Sequence, residues 1–410
     1  MTKLGGTRIA GHPALNLPSQ SPESLISTAG RIVRLVGAAF LIACLVLSTS
    51  GRAALADPLL DETVAFTGQV FFLEHKVPAL VIGAVRNGEI SVHGFGERSE
   101  GGPAPDGETV LRIGSITKAF TGQVLANLVA EGKLGFTDTL ASHAPGLTSG
   151  AASGVQRIRL IDLATQSAGL PRELPREPGP ENDPFATITM EAMADWLKKT
   201  TPIYPPGTGV LYSNVGFDLL AIAMQSAAKK PYPELLEQYV TGPLGMKDTT
   251  FAPSDAQKQR FMQGHGFDGK PMPDVPTGSV IVGAGGLYST PNDLLRWMQW
   301  HLDRNAKADA EVRLLDHAIY LVRDGLNPVY GMDESGQMDA MGLAWVAMMP
   351  KGDRPFILQK AGGLQGTFTY IAFAPEHGIA VFVAINKFDF GAAMAMAVAA
   401  NELIANLAPR

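Results

Sequence analysis

The sequence contains a single cysteine, Cys44, and it lies in the N-terminal segment. After Ala56 the chain has no cysteine, which excludes disulfide bonds, a thiol nucleophile and cysteine-ligated zinc from that part. A His-Glu-x-x-His motif is also missing and the seven histidines after Ala56 are scattered, so we predict neither a metal site nor a cofactor. The α/β-hydrolase fold and nucleotide binding lack their minimal signals, since the chain has no G-x-S-x-G motif and no Walker-type loop.

Basic residues are also few after Ala56, where 28 lysines and arginines stand against 38 acidic residues, a net charge of −10. A nucleic-acid partner is not expected from that balance. No long Gly/Ser-rich or single-charge linker divides the chain, so we predict one domain over 57–410. Its oligomeric state is left open by the sequence.

The N-terminal segment, residues 1–56, has the pattern of a targeting sequence. Two arginines precede the apolar run 35–47, which at 13 residues is too short to span a bilayer comfortably. Ala54-Leu55-Ala56 then has the small-x-small pattern that signal peptidase requires. We therefore predict a signal peptide over 1–56, cleaved before Asp57, and a periplasmic protein.

Two alternatives for this segment stay open. The apolar run could remain uncleaved as a membrane anchor, or Leu41-Ile42-Ala43-Cys44 could be a lipoprotein box with Cys44 as the lipidated residue. Membrane association is expected only through this segment.

Strand patterns lie at both ends of the chain after Ala56. The apolar runs within 79–96 flank Asn87-Gly88, a strong hairpin signal, so the mature chain is predicted to open with two antiparallel strands. Two more strands are predicted over 367–374 and 379–385, and the residues at about 134–290 are mostly helical in pattern. We predict an α/β fold with one antiparallel sheet built from both chain ends, flanked by helices, and a mostly helical subdomain inserted at about 134–290.

Ser115-Ile116-Thr117-Lys118 is the first motif that indicates chemistry. It follows a predicted strand and opens a predicted helix, on which residues three apart share a face, so the Lys118 amine can reach the Ser115 hydroxyl. A buried lysine whose ammonium form is disfavoured by desolvation can serve as the base that a serine nucleophile needs. Backbone N–H groups at the start of the helix can stabilise an oxyanion.

Tyr212-Ser213-Asn214 supplies a second set of polar groups at the start of another predicted helix. A phenol near two lysines is favoured in its phenolate form, so Tyr212 can accept the serine proton and pass it to a leaving amine. Asn214 has an amide that can hold Lys118 on one side and a substrate carbonyl on the other.

Lys360-Ala361-Gly362-Gly363 supplies the third set, directly before the strand predicted at Thr367. Lys360 can bind a substrate carboxylate and favour the tyrosine phenolate. Gly362 and Gly363 let a substrate backbone approach the strand edge, with Ala361 beside them.

These motifs, in this order, resemble the serine beta-lactamase and penicillin-binding protein superfamily, whose first motif is S-x-x-K. The second motif, Y-x-N, is similar to that of the class C branch, and the sequence looks closest to its D-alanyl-D-alanine carboxypeptidase/endopeptidases. The resemblance covers about residues 70–405 and includes Leu163–Pro171, Pro205–Gly207, Tyr212–Leu220, Pro243–Thr249, Gly285–Thr290 and Gly342–Val346.

The resemblance implies an α/β sandwich with a helical subdomain, acting on peptidoglycan peptides and beta-lactams through an acyl-enzyme. It implies Ser115 as the nucleophile, Lys118 and Tyr212 as the proton-transfer pair, Asn214 as an anchor and Lys360 as the third-motif cation. The implied oxyanion hole is the backbone N–H groups of Ser115 and Gly363. We therefore predict a serine DD-carboxypeptidase/endopeptidase that binds penicillin and has weak beta-lactamase activity.

One position departs from the family pattern, because Ala361 stands where the third motif commonly has threonine. That hydroxyl usually helps to hold a terminal carboxylate, so its loss is expected to weaken carboxylate recognition more than acylation. A class C-type esterase, a D-amino-acid peptidase and a non-catalytic penicillin- or muropeptide-binding protein remain alternatives.

Overall fold

The computed structural model of the protein describes residues 57–408. The predicted signal peptide and the alternative lipidation site at Cys44 lie outside the described residues, so both stay predictions.

An eight-stranded antiparallel sheet forms the centre of the fold, in the order β2-β1-β12-β11-β10-β9-β8-β6. Its N-terminal hairpin joins the C-terminal strands through β1 and β12, where Leu80 pairs with Ile385. The predicted sheet built from both chain ends is confirmed. The strands are β1 (Ala79–Arg86), β2 (Glu89–Gly96), β3 (Leu111–Arg112), β4 (Val210–Leu211), β5 (Tyr288–Ser289), β6 (Leu321–Val322), β7 (Val329–Tyr330), β8 (Ala340–Met341), β9 (Val346–Met348), β10 (Ile357–Leu364), β11 (Thr367–Ala374) and β12 (Ile379–Ile385).

Helices cover both faces of this sheet, so its central strands are buried on both sides. They are α1 (Pro58–His75), α2 (Thr117–Ala130), α3 (Leu140–His143), α4 (Pro145–Thr148), α5 (Ser153–Gln156), α6 (Leu160–Ala164), α7 (Met190–Lys199), α8 (Asn214–Ala228), α9 (Tyr232–Leu236), α10 (Asp255–Lys258), α11 (Pro291–Leu302), α12 (Ala310–His317) and α13 (Phe390–Leu407). One apolar core lies between the sheet and α2, α8 and α11, and a second lies between the sheet and α1 and α13.

The described chain opens with a helix, so the prediction that two strands come first is wrong. Asp57 caps α1 by accepting hydrogen bonds from the backbone N–H groups of Leu59 and Leu60, and Pro58 occupies the first helical position. Leu60 and Val64 are buried on the sheet, whereas Phe66 remains exposed. The apolar residues therefore do not form one clean stripe, which weakened the helical pattern.

The region between β3 and β5 consists of helices and long loops. Its longer helices are α2, α7 and α8, the others are short, and the proline-rich stretch over 171–184 is irregular. Ser213 caps α8 through Gly216, which places Tyr212 and Asn214 on either side of the helix start.

The C-terminal helix α13 is long and apolar enough to cross a membrane by length and composition alone. Its buried face, with Met396, Ala400 and Ile404, packs against β11, β12 and α1 instead. We therefore describe it as a core helix of the sheet's second layer.

Candidate active site

Ser115 lies in a single 3₁₀ turn, Gly114–Ile116, immediately before α2. Gly114 has a φ of 52°, in the left-handed region that side chains rarely adopt, and a Cβ there would lie 2.6 Å from the backbone nitrogen of Gly363. Glycine before the serine is thus needed both for the turn and for the close approach of β10.

Strand β10 contains the whole third motif and ends shortly before β11, so the prediction that this motif precedes a strand at Thr367 is confirmed. Gly362 pairs with Thr369 and Gly363 with Phe368 in the ladder between β10 and β11. A Cβ on Gly362 would lie 2.1 Å from the carbonyl oxygen of Ile113 and 3.0 Å from the backbone nitrogen of Ser115. The two glycines therefore bring the edge of β10 against the serine turn.

Lys118 is fully buried and its amine has three oxygen neighbours. Its Nζ lies 3.2 Å from Ser115 Oγ, 2.6 Å from Asn214 Oδ1 and 2.6 Å from the carbonyl oxygen of Ala284. The last two atoms only accept hydrogen bonds. A neutral amine donates its two hydrogens to them and keeps its lone pair for the Ser115 hydroxyl, which is the geometry of a general base.

Burial lowers the pKa of Lys118 from its ordinary value, because the charged form loses its hydration. Asp218 opposes this shift through its negative charge, as does Glu173, while Arg172 adds to it. Asp218 is itself fully buried on α8, and burial raises the pKa of its carboxyl group while Lys118 lowers it. The Oδ1 of Asp218 also accepts hydrogen bonds from Gly283 and Ala284, so it fixes the loop that holds Lys118.

Tyr212 completes the contacts of the serine, since its hydroxyl donates to Ser115 Oγ over 2.6 Å. Three basic side chains lie near its ring: Arg172 at 4.7 Å, Lys118 at 5.1 Å and Lys360 at 5.2 Å from the ring centroid. Burial lowers the pKa of Lys360, with Tyr212 opposing the shift and Lys118 and Arg172 adding to it.

Asn214 links the lysine to the rim of the site. Its Oδ1 accepts from Lys118, and its Nδ2 donates to Glu173 Oε1 on the exposed side. Its backbone N–H donates to the carbonyl oxygen of Arg172. Arg172 and Glu173 belong to the irregular loop after α6, which therefore forms one wall of the entrance.

Gln166, at the start of that loop, connects the loop to the second motif by hydrogen bonds. It is buried with a φ of 61°, its side-chain oxygen accepts from the Ser213 N–H, and its carbonyl oxygen accepts from Leu211. Ser213 in turn donates to the carbonyl oxygen of Pro171. These bonds hold Tyr212 and Asn214 in position from behind.

A cavity of about 550 Å³ opens in front of the serine. Its polar lining includes Ser115, Tyr212, Lys360 and Arg172, and the strand edge at Ala361–Gly363 forms its floor. A carbonyl carbon placed at Ser115 Oγ from this cavity would have the β10 backbone beside it.

Ser115, Tyr212, Lys360 and Ala361–Gly363, all predicted from the sequence, line this cavity. Lys118 is hydrogen-bonded to Ser115 and Asn214 to Lys118, so both lie next to the lining residues. Sequence reasoning missed Arg172, Glu173, Gln166 and Asp218. Only Asp218 left a visible signal, because a lone carboxylate in the apolar helix α8 is costly unless a cation is near.

The histidines are not all scattered in space. His301 Nδ1 lies 2.8 Å from His317 Nε2, and Asp316 lies beside both in the core. That separation is a hydrogen-bond distance, shorter than the roughly 3.3 Å between two nitrogens on one tetrahedral zinc ion. The cluster is therefore described as a hydrogen-bonded core group.

We expect Asp218→Asn to move the acidic limb of the acylation rate to lower pH by about one unit. The asparagine keeps the acceptor for Gly283 and Ala284 but removes the negative charge that favours protonated Lys118. The pKa of Lys118 falls further, and its neutral form persists to lower pH. Stopped-flow acylation between pH 5 and 9 measures this, with the exposed Asp195→Asn on α7 as control. An unchanged limb, or one at higher pH, contradicts it.

Comparison with known proteins adds the family. The family described as "Beta-lactamase" matches residues 52–405. The chain belongs to the beta-lactamase family. This beta-lactamase family member is 36% identical over 320 residues to the D-alanyl-D-alanine-carboxypeptidase/endopeptidase AmpH of Escherichia coli K12, covering 76% of this chain and 80% of that protein. It is 24% identical over 346 residues to a beta-lactamase of Pseudomonas fluorescens, covering 80% and 93%.

Solved structures agree with this placement. The beta-lactamase/D-alanine carboxypeptidase of Yersinia pestis, complexed with citrate, is 36% identical and superposes with a TM-score of 0.76, covering 85% of this chain and 98% of that one. A class C beta-lactamase at 17% identity has a TM-score of 0.74, which shows the shared fold. This beta-lactamase family member is accordingly a serine-type hydrolase.

Proposed function

We propose that this protein hydrolyses D-alanyl peptides of peptidoglycan through an acyl-enzyme on Ser115, as a DD-carboxypeptidase/endopeptidase that also reacts with beta-lactams. The observation that most supports the proposal is the contact set of Ser115 Oγ, with Lys118 at 3.2 Å and Tyr212 at 2.6 Å. AmpH of Escherichia coli K12, which is 36% identical to this chain, is a D-alanyl-D-alanine-carboxypeptidase/endopeptidase.

In the proposed acylation step, neutral Lys118 takes the hydroxyl proton as Ser115 Oγ attacks the substrate carbonyl carbon. The resulting oxyanion is stabilised by the backbone N–H groups of Ser115 and Gly363. Tyr212 then gives its phenol proton to the leaving nitrogen, the carbon–nitrogen bond breaks, and Lys118 returns a proton to the phenolate. An ester between Ser115 and the D-alanyl carbonyl remains.

In the proposed deacylation step, a water molecule replaces the departed amine in front of the ester. The same pair of bases takes one water proton as the water oxygen attacks the carbonyl carbon. The ester bond to Ser115 Oγ then breaks, and the serine is reprotonated. The amide of Asn214 is proposed to hold the peptide carbonyl of the donor, and Lys360 its terminal carboxylate.

The experiment that tests the proposal combines labelling with turnover. Purified protein is incubated with a fluorescent penicillin, and separately with a D-Ala-D-Ala pentapeptide and cross-linked muropeptides. Stable labelling together with release of D-alanine or of cleaved cross-links supports the proposal. Absence of both label and cleavage overturns it, and stable label without peptide turnover indicates the non-catalytic binding protein instead.

Ala361→Thr is expected to raise kcat/KM on peptides with a free terminal carboxylate by about tenfold, because one added hydrogen bond to a charged group contributes roughly 1.5 kcal/mol. Ala361 lies half-buried on β10 at the floor of the cavity, beside Lys360. The ratio of rates on a free-acid peptide and its C-terminal amide measures the effect. An unchanged ratio would show that other groups already replace the missing hydroxyl.

We also propose that the protein is exported to the periplasm and that residues 1–56 are removed. The basic residues, the apolar run and Ala54-Leu55-Ala56 support this. Mass spectrometry of the N-terminal peptide from the producing cell is expected to begin at Asp57. A lipid-modified Cys44 or an intact leader would identify one of the two alternatives.

A further inference from the structure

Four phenylalanines line the active-site cavity on the side away from Lys118: Phe267, Phe368, Phe388 and Phe390. Their rings form a closed set of contacts, because Phe267 and Phe368 each touch both Phe388 and Phe390, with centroids 5.0–5.6 Å apart. We call this set the phenyl platform.

The outer members of the phenyl platform are unusually open to solvent. Phe267 is 61% exposed and Phe390 is 64% exposed, and Met394 beside them on α13 is 56% exposed. Contiguous exposed apolar surface of this kind marks a place where an apolar group binds. Since the platform lines the same cavity as Ser115, the group that reaches it belongs to a molecule already in contact with the serine.

The platform also touches the strand edge beside the serine. A Cβ on Gly363 would lie 2.8 Å from the ring of Phe368, so the backbone of Gly363 packs directly on that ring. Gly363 in turn adjoins Gly114, the neighbour of Ser115. A substrate whose carbonyl lies at Ser115 therefore has the platform within reach of its next substituent.

Backbone hydrogen bonds hold the platform rigid before any substrate arrives. The N–H of His265 donates to the carbonyl oxygens of Gly366 and Asn386, and the N–H of Phe388 donates to the carbonyl oxygen of His265. Asp389, between Phe388 and Phe390, caps the N-terminus of α13. Preformed aromatic surface binds apolar groups at a low cost in conformational entropy.

We propose that the phenyl platform is a specificity subsite that binds a phenyl-sized apolar group of the substrate. Aromatic rings pack favourably on other rings in tilted or offset arrangements. The carboxylate of Glu334 also lines the cavity and disfavours an anionic group near it. The preferred substrates therefore bear an aromatic or large aliphatic group near the scissile bond, in addition to the D-alanyl carbonyl. This inference rests on the proposed acyl-enzyme function.

The test compares matched substrates with one difference each. One pair is an acyl-D-Ala-D-Phe peptide against acyl-D-Ala-D-Ala, and the other is a phenylacetyl against an acetyl group on the donor side. Wild-type protein is expected to favour the phenyl member of at least one pair by about tenfold in kcat/KM, within the range typical of apolar pockets.

The double variant Phe267→Ser/Phe390→Ser is expected to reduce that preference to about twofold or less, whereas Phe267→Leu/Phe390→Leu should retain most of it. The control is Phe66→Ser on α1, which is 71% exposed and outside the cavity. The preference is a ratio, so a general loss of folded protein does not change it.

Two outcomes overturn the inference: no phenyl preference in wild-type protein, or an unchanged phenyl preference in Phe267→Ser/Phe390→Ser. In the second case the oligomeric state of the double variant is also measured, and it is either unchanged or altered. An altered oligomeric state together with an unchanged preference would assign the platform to contact between proteins. Failure of the proposed function looks different, because wild-type protein would then neither take the penicillin label nor cleave either member of a pair.

Discussion

Ser115→Ala is expected to lower kcat/KM on a D-Ala-D-Ala peptide by about four to six orders of magnitude and to abolish covalent labelling by penicillin. Without Oγ no ester can form, and the side-chain and backbone amide groups that remain in the site can only bind the substrate. The cavity loses one oxygen atom and keeps its shape, so reversible binding of the peptide should persist. Burst-phase kinetics and intact-protein mass spectrometry measure the two effects.

The matched control for that variant is Ser149→Ala, which changes an exposed serine after α4. It should label and turn over like wild-type protein. Residual covalent adduct on Ser115→Ala would place the nucleophile elsewhere, and a tryptic map of the adduct would then locate it.

Lys118→Met is expected to slow acylation by about three to four orders of magnitude, near the upper end of what one general base contributes. Methionine fills nearly the same volume but removes the lone pair 3.2 Å from Ser115 Oγ. The variant should still bind penicillin reversibly before the slow reaction. Single-turnover labelling at saturating penicillin separates the rate of acylation from the affinity.

The pH profile distinguishes a lost base from a distorted site. If Lys118 is the base, wild-type acylation rises with pH through the lowered pKa of Lys118, and the variant lacks this limb. A variant that is slow but retains the limb would show that another group takes the proton. The exposed Lys198→Met on α7 provides the control, since that lysine pairs with Asp195 at the surface, far in the chain from the three motifs.

The elements that the sequence predicted well are those with a strong local signal. The hairpin at Asn87-Gly88 and the two strands on either side of His377 have such signals, and each is present. Helix α1 was missed although Asp57-Pro58 is a good start signal, because Phe66 and Leu73 place apolar side chains on its exposed face. The sequence explained the two glycines of β10 by the approach of a substrate backbone, whereas in the structure Gly362 is also needed because the serine turn packs against it.

The site could be predicted as a set of motifs but not as a geometry. Ser115, Lys118, Tyr212, Asn214 and Lys360 come from three separate segments, and each segment has its own pattern. Arg172 and Glu173 lie in a proline-rich loop without periodicity, so nothing local indicates that they reach the site. The phenyl platform combines residues from two loops, strand β11 and the start of α13, and only the folded chain brings those together.

The pairing of β1 with β12 also determines when this site can exist. The backbone N–H of Ala79 donates to the Asn386 side chain 307 positions later, and Lys360 lies on β10, three places from β1 in the sheet. Contacts of such long sequence separation form late and slowly in folding. A chain emerging from a ribosome or a translocation pore thus has its serine and lysine exposed long before their partners appear. The protein gains its reactive nucleophile only once the last strands have joined the sheet.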